Sequence, residues 1–251
     1  MVSVAIGIAT RQRYICFVHT FAAFLLRAAD QIRMGAISFT RVKYVGSHAG
    51  VSIGEDGPSQ MALEDFAFFR TIPHAVCFYP SDAVSAERAV ELAANYDGAV
   101  YIRTSRPNFS ILYKNDEVFQ IGKAKIVVES SNDVCTIVAG GVTLHEAIKA
   151  AEKLKGLGKA VRVIDAFTVK PIDRDTILKS VNATHNRLIV VEDHYPEGGL
   201  GEAVMAALAD QVDIKIVHLA VQEVARSGKP AELMSKYGID AQHIINAVEK
   251  F

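Results

Sequence analysis

Short apolar runs rich in β-branched residues alternate with longer segments of helical periodicity along the whole chain. In the first half they predict strands at 14–18, 42–45, 76–79 and 99–103, and helices at 20–37, 58–70 and 82–95. In the second half they predict strands near 125–129, 135–139, 161–165, 188–192 and 215–219, and helices near 143–154, 173–180, 202–209 and 241–249. Because such alternation is typical of parallel strands joined by crossover helices, we expect an α/β fold with mainly parallel sheets.

One segment interrupts this alternation. Residues 104–120 include Pro107, Asn108 and Asn115 and show no sustained period, which is typical of a linker. We therefore expect two α/β domains, residues 1–118 and 119–251. The first residues are apolar with no polar lead-in, which predicts that the chain starts inside a packed element and lacks that element's usual predecessor.

Composition and charge narrow the class of protein. The 251 residues are 50% hydrophobic and 22% charged, which indicates a globular protein with a substantial core. A net charge of -1 gives no general attraction to nucleic acid or anionic membrane. No apolar run is long enough to span a bilayer, and the first residues lack a secretory signal pattern, so we expect a cytoplasmic protein. Cys16, Cys77 and Cys135 lie far apart in apolar runs, which favours buried reduced thiols.

The loop at 46–60 carries the most promising chemistry. It holds four glycines and two acidic residues between a predicted strand and a predicted helix, where ligands of open α/β sheets bind. Glycine lets the backbone approach a ligand closely, and His48 and Asp56 could hydrogen-bond a polar substrate or move protons. The alternative is a plain turn in which Asp56 caps the helix expected from Pro58. The residues alone leave both interpretations open.

Aromatic and basic residues near this loop allow two interpretations each. Phe21 and Phe24 lie three apart on one predicted helix face, either as core residues or as a flat platform. Arg103 and Arg106 bracket the end of a predicted strand, where an arginine fork suits phosphate or carboxylate but is more often simply solvated. The helix predicted after the loop is apolar on nearly every side, which favours either an interface or a deep core position.

The second half carries weaker signals. Glu192, Asp193 and His194 precede a glycine-rich stretch at 198–201, a pattern that only weakly indicates a metal site or a nucleotide loop. A plain connection from strand to helix is the favoured interpretation.

Several segments together resemble transketolases of the animal type. They are TFAAF at 20–24, DQIRM at 30–34, GVSIGEDGPSQMALEDFAFFR at 50–70, IRTSRP at 102–107, FTVKPID at 167–173, VEDHYPEGGLG at 191–201 and RSGKPAEL at 226–233. They cover both expected domains nearly end to end, and the GEDGPSQ loop with the downstream TSRP is highly specific. The resemblance implies a pyrimidine-binding domain followed by a transketolase carboxy-terminal domain, the latter without direct catalytic residues.

The activity implied by the resemblance depends on thiamine diphosphate. Transketolases transfer a two-carbon ketol unit from a ketose phosphate to an aldose phosphate, in the pentose phosphate pathway. The resemblance implies that Phe21 stacks on the aminopyrimidine ring of the cofactor and that Phe24 helps to wall its pocket. His48 and Asp56 would be catalytic, hydrogen-bonding substrate hydroxyls and the developing intermediate.

Two further residues have implied contacts with substrate. Arg106 would grip the sugar phosphate, and Gln60 would contact substrate at a position where some relatives have histidine. The resemblance also implies Mg or Ca, held by a diphosphate-binding domain, and an activating glutamate just upstream of the segment matching Met1; both lie outside the 251 residues. Since each cofactor of the family lies between two subunits, we expect a homodimer in which this chain supplies the pyrimidine and substrate half of the site.

Two other interpretations remain, one a different enzyme and one a protein without catalytic activity. The β-like chain of a 2-oxo acid dehydrogenase and a deoxyxylulose synthase share both domains, but the GEDGPSQ and RTSRP segments disfavour them. A catalytically silent truncated form that acts in dimerisation or regulation is the alternative to an active enzyme.

Overall fold

The computed structural model describes residues 1–251 as two packed α/β regions. The strands are β1 Phe17–Phe21, β2 Lys43–Ser47, β3 Val76–Phe78, β4 Val100–Arg103, β5 Lys125–Val128, β6 Asp133–Ala139, β7 Ala160–Asp165, β8 Thr168–Lys170, β9 Arg187–Val191 and β10 Lys215–Leu219. The helices are α1 Val2–Ala9, α2 Ala22–Leu25, α3 Ala29–Ile37, α4 Asp65–Thr71, α5 Ala83–Asn95, α6 Val142–Gly156, α7 Arg174–Ala183, α8 Leu200–Ala207, α9 Pro230–Lys236 and α10 Ala241–Val248. Short 3-10 helices span Leu26–Ala28 and Val51–Asp56.

Two five-stranded sheets organise these elements. The first has the order β1-β2-β4-β3-β8, and the second the order β10-β9-β6-β7-β5. All neighbours pair in parallel except β8 on β3 and β5 on β7, which are antiparallel. Strand β4 is buried along its whole length, as expected of a parallel strand covered on both faces. The α/β fold with mainly parallel sheets is confirmed.

The two halves of the chain share strands and cores. Strand β8 comes from the second half but extends the first sheet through β3. The largest apolar cluster combines Val51 and Ile53 of the first half with Ile137 and Leu233 of the second. The segment between β4 and β5 carries no helix or strand, as predicted for a linker, while the boundary between 118 and 119 stays a prediction.

The first strand and helix lie later than predicted. The ladder between β1 and β2 begins at Phe17 opposite Lys43 and ends at Phe21 opposite Ser47. Phe21 is therefore the last strand residue, and only Phe24 lies in the helix that follows. The prediction of one helical face carrying both rings was wrong, because pairing with β2 holds Phe21 in extended backbone.

The prediction of a helix starting at Pro58 was also wrong. A backbone bridge joins Ala49 to Ala62, and the Gly50 N–H donates to the Ala62 carbonyl at 2.9 Å. These contacts hold the chain away from helical geometry, so that α4 begins only at Asp65. Its buried face includes Phe66, whose ring lies 5.9 Å from that of His194 in the second half. The apolar helix α4 thus packs between the two regions.

Other sequence expectations concern the cysteines and the membrane. All three cysteines are free, with Cys77 and Cys135 buried as predicted and Cys16 half-buried. No helix has both the length and the apolar character that a membrane crossing requires.

A buried carboxyl ties the linker to both regions. Asp165, at the end of β7, is fully buried and accepts hydrogen bonds from Tyr113 Oη at 2.6 Å and Ser81 Oγ at 3.1 Å. Burial raises the pKa of Asp165 to about 7, although both hydrogen bonds oppose the shift. Protonated Asp165 is therefore favoured by folding.

This raised pKa predicts a pH-dependent stability. The unfolded chain loses the Asp165 proton near its ordinary pKa of 3.8, whereas the folded chain keeps it up to about 7. The stabilisation is complete below the lower value and is lost as pH rises to the upper one, at about 1.4 kcal/mol per pH unit. In Asp165→Asn, which stays neutral, urea unfolding followed by circular dichroism should show a smaller fall in unfolding free energy between about pH 5 and about pH 7.5. Asp116→Asn, on the exposed part of the linker, is the control, and an unchanged pH dependence in Asp165→Asn would contradict the assignment.

Candidate active site

The candidate residues gather at the carboxyl ends of three neighbouring strands. Phe21 ends β1 and lies opposite Ser47, which ends β2 and precedes His48. Gly46 of β2 lies opposite Arg103, which ends β4 and precedes the segment carrying Arg106. Parallel pairing therefore brings Phe21 and Arg106, which are far apart in the sequence, to the same edge of the sheet. This edge is where open parallel sheets bind ligands.

Three flat rings stack at this edge. The Phe21 ring is nearly parallel to that of Phe24, with an interplanar angle of 3° and centroids 5.4 Å apart. The His48 ring lies 3.9 Å from Phe21 at 11°. Phe24 is 39% exposed and borders a cleft of about 320 Å³ with Thr20 and Gln31. The stack thus offers a flat apolar surface beside open space.

His48 is held in an unusual backbone conformation. Its φ is 58°, in the left-handed region that costs energy for a residue other than glycine. Its Nδ1 lies 3.0 Å from Ser47 Oγ, and Nε2 makes no hydrogen bond within the chain. Partial burial lowers the pKa of His48, and Arg106 lowers it further while Asp56 opposes. A neutral imidazole is therefore the favoured form near pH 7, ready to accept or donate one hydrogen bond.

Arg106 and Asp56 form the polar side of the same edge. Arg106 Nη1 donates to the Ile53 carbonyl at 3.0 Å and lies 3.5 Å from Asp56 Oδ1. The Arg106 side chain is 46% exposed and that of Asp56 is 33% exposed. Most N–H groups of the guanidinium thus remain available to an oxyanion, whereas Asp56 offers acceptors to a hydroxyl.

The loop glycines are needed for a reason that the sequence did not indicate. Gly50, Gly54 and Gly57 have φ near +83°, which favours glycine. Each also lies against a side chain of the second half of the chain. A Cβ atom there would lie 2.1 Å from Asp193 Oδ2 at Gly50, 2.9 Å from Pro230 at Gly54 and 2.5 Å from Ser227 Oγ at Gly57. These three glycines let the loop approach the neighbouring region of the protein closely.

Comparison with known proteins identifies the family of the chain. The family model described as the transketolase pyrimidine binding domain matches residues 1–110, and that of the transketolase C-terminal domain matches residues 122–244. The chain belongs to the transketolase family. It is 60% identical to transketolase-like protein 2 of Mus musculus over 249 residues and 57% identical to Homo sapiens transketolase over 248 residues.

Coverage differs between these relatives and a solved transketolase structure. Each match takes in 99% of this chain but 40% of the relative, so the chain spans two fifths of those proteins. A structure titled "Split gene transketolase, inactive beta4 tetramer" superposes with a TM-score of 0.90 at 35% identity. That superposition covers 98% of this chain and 79% of the other, so the two chains have similar extent.

One candidate residue, Gln60, lies apart from the main contacts of the site. Gln60 is half-buried in the turn after the loop, and its Oε1 accepts a hydrogen bond from Ser59 Oγ at 2.7 Å. No hydrogen bond or ring contact joins Gln60 to His48 or Asp56. The structure therefore brings together Phe21, Phe24, His48, Asp56 and Arg106, while the predicted substrate contact of Gln60 stays a prediction.

Arg103 is neither solvated nor free to bind a ligand. Its side chain is fully buried, and Nε donates to Asp65 Oδ2 at 2.8 Å. Nη2 donates to the carbonyls of Ala62 and Asp193 at 2.9 and 2.8 Å. Arg103 therefore joins the loop, α4 and the second half of the chain, a role that no local sequence signal indicated.

The Glu192–His194 segment connects β9 to α8, as predicted. Glu192 accepts hydrogen bonds from the N–H groups of Leu200 and Gly201 at 2.5 and 2.9 Å, which caps the first turn of α8. It also lies 2.6 Å from His218 Nε2. His194 is buried against Phe66 of α4. These contacts account for the polar cluster as structural.

A larger cavity lies at the other end of the first sheet. It measures about 880 Å³ and is bordered by Arg41, His74 and Gly98, which precede β2, β3 and β4. None of the candidate residues lines it. Size alone would therefore misplace the site, and the strand ends and the chemistry of the side chains locate it better.

Proposed function

We propose that this chain supplies the pyrimidine-binding and substrate-binding half of a transketolase site. The reaction is thiamine diphosphate-dependent transfer of a two-carbon ketol unit from a ketose phosphate to an aldose phosphate, in the cytoplasmic pentose phosphate pathway. The observation that carries the proposal is the stack of Phe21, Phe24 and His48 beside the pair of Arg106 and Asp56. A flat platform next to an exposed guanidinium suits a flat heterocycle next to a sugar phosphate.

The residues present fit the pyrimidine end of the cofactor. Phe21 and Phe24 are parallel, and the exposed Phe24 borders a cleft that can admit a planar ring. When bound, thiamine diphosphate supplies the nucleophilic carbon that accepts the two-carbon unit. The proposal assigns Mg or Ca to the diphosphate-binding domain, and no group of three or more histidine, cysteine, aspartate or glutamate side chains in this chain could hold a metal ion.

The chain's own residues bind and orient the sugar. Neutral His48 accepts or donates a hydrogen bond at Nε2 and can hold a proton as charge develops on a substrate oxygen. Asp56 accepts a hydrogen bond from a substrate hydroxyl, and Arg106 donates to the terminal phosphate. Gln60 offers an amide to a further hydroxyl. The proposed assembly is a homodimer, because family members form each cofactor site between two subunits.

One observation favours a second candidate function. The structural neighbour with a TM-score of 0.90 is titled an inactive tetramer, and the match takes in 98% of this chain and 79% of the neighbour's. A chain of this kind can therefore fold and assemble without activity. A catalytically silent form that acts in dimerisation or regulation is the alternative, and it predicts no ketol transfer even when the rest of the site is supplied.

Ketol transfer tests both candidates, with Arg106 as the diagnostic residue. A chimera in which this chain replaces the matched part of human transketolase should convert xylulose 5-phosphate and ribose 5-phosphate when given thiamine diphosphate and magnesium. Arg106→Gln should raise KM for the phosphorylated acceptor about 10- to 100-fold, because a charge-assisted hydrogen bond contributes about 1.5–3 kcal/mol. KM for unphosphorylated ribose should stay unchanged, and Arg106→Lys, which keeps the charge but loses the fork, should fall between.

Three outcomes separate the proposals. An inactive chimera that is folded would contradict the proposed function. An active chimera with an inactive isolated chain supports the half-site and counts against a silent chain. If the unmutated chimera treats phosphorylated and unphosphorylated acceptors alike, the role of Arg106 is wrong.

A further inference from the structure

The loop that carries Asp56 packs into the second region of the protein rather than into its own sheet alone. Val51 and Ile53, in the 3-10 helix at the centre of the loop, are fully buried in the apolar cluster built mainly by the second half. That 3-10 helix also contacts α9, the helix that starts at Pro230. The position of the loop therefore depends on residues of the second half of the chain, which lie more than 130 positions later in the sequence.

One carboxylate makes the polar contact of this packing. Asp193 is fully buried, and its Oδ1 accepts a hydrogen bond from the Val51 N–H at 2.7 Å. Its Oδ2 accepts from the Ser52 N–H at 3.3 Å and lies against Gly50. The two N–H groups belong to the first turn of the 3-10 helix, where they have no partner within the helix. The two oxygens of Asp193 supply the acceptors that these groups otherwise lack.

We propose that Asp193, which belongs to the carboxy-terminal domain, is a positioning residue that sets the geometry of the loop at residues 46–60. Its carboxylate fixes residues 51 and 52, three positions after His48 and four before Asp56. Arg103 secures the same point, since it donates to the Asp193 carbonyl and to the Ala62 carbonyl at the far end of the loop. The carboxy-terminal domain thus acts on the site through backbone geometry, without touching substrate.

The physical reason lies in the glycines. Gly50, Gly54 and Gly57 have many accessible conformations, so the loop by itself would not hold one arrangement. Two hydrogen bonds to the buried Asp193 side chain select a single arrangement and keep His48 and Asp56 on the same edge. A displacement of reacting groups by about 1 Å can cost up to about 100-fold in rate, so such fixation has catalytic consequences. This part of the inference rests on the proposed function.

Hydrogen exchange on the 251-residue chain tests the geometry without any activity. In Asp193→Asn, exchange of the Val51 and Ser52 amides should rise about tenfold or more, because the amide nitrogen of asparagine cannot accept one of the two hydrogen bonds. The pKa of His48, followed by NMR, should move as the loop shifts. Asp173→Asn is the matched control, since buried Asp173 caps α7 by accepting from Thr176 N at 3.2 Å.

Kinetics of the chimera complete the test. Asp193→Asn should lower kcat about tenfold, with a much smaller change in KM, while Asp173→Asn should leave kcat unchanged at equal folded fraction. Exchange that rises uniformly over the chain, or only as much as in Asp173→Asn, would overturn the proposal. So would a faster-exchanging loop with unaltered kcat. If the unmutated chimera is inactive, the proposed function fails, while the exchange result still decides whether Asp193 fixes the loop.

Discussion

Replacing Arg103 with methionine should lower the unfolding free energy by about 3–5 kcal/mol, because it leaves the fully buried carboxylate of Asp65 without its cationic partner. Methionine fills much of the same volume, so the loss reports the charge rather than a cavity. The guanidinium also lies 5.0 Å from the Phe66 ring and 4.7 Å from the Tyr79 ring, contacts that the neutral side chain keeps only in part.

Urea unfolding of the purified chain measures this loss. Arg162→Met is the matched control, because Arg162 pairs with Asp133 at 3.4 Å but its side chain is 14% exposed. The double variant Asp65→Leu/Arg103→Met removes both charges and should recover much of the stability, as apolar replacements of buried pairs often do. If Arg103→Met unfolds no more easily than Arg162→Met, the buried pair is not important for stability.

The second large effect is expected at His48. In an active chimera, His48→Ala should lower kcat about 100-fold or more, the usual contribution of a positioned proton-transfer or hydrogen-bonding side chain. The substitution also removes the ring that lies 3.9 Å from Phe21, so both the polar contact and part of the stack are lost.

A second variant separates these two contributions. Asparagine tolerates positive φ better than most residues and keeps a polar group, but it lacks the ring. Steady-state kinetics should therefore place His48→Asn above His48→Ala if hydrogen bonding dominates, and equal to it if stacking does. Wild-type turnover in His48→Ala would contradict any catalytic role for His48.

The fold was largely predictable because its signals are local. Buried parallel strands read as short β-branched runs, and the Asp82 cap of α5 and the Asp240 cap of α10 mark helix starts in the sequence itself. Strand β8 was missed because it is three residues long and pairs with a strand some 90 positions earlier. Helix α9 was also missed, although Pro230 at its first turn is a usable start signal.

For the candidate site, residue chemistry predicted which side chains are candidates but not the contacts that hold them in place. The loop composition pointed to His48 and Asp56. The residues alone left the roles of Phe21, Phe24 and Arg106 open, and the resemblance favoured binding roles for them. The partner of Arg103 could not be read from the sequence, because Asp65 lies 38 positions away and both are fully buried only in the folded chain. The packing of the loop glycines against the second region likewise could not be predicted, because Asp193, Ser227 and Pro230 lie far away in the sequence.

Strand β8 has a consequence for how a gene for such a protein can be divided. Because residues 168–170 complete a sheet otherwise built by residues 17–103, a break in the linker would separate a strand from its sheet. Of the two polypeptides made by such a break, the first would lack an edge strand of its sheet, and the second would carry that strand without its partner. The split-gene transketolase, which covers 98% of this chain, keeps both regions on one polypeptide.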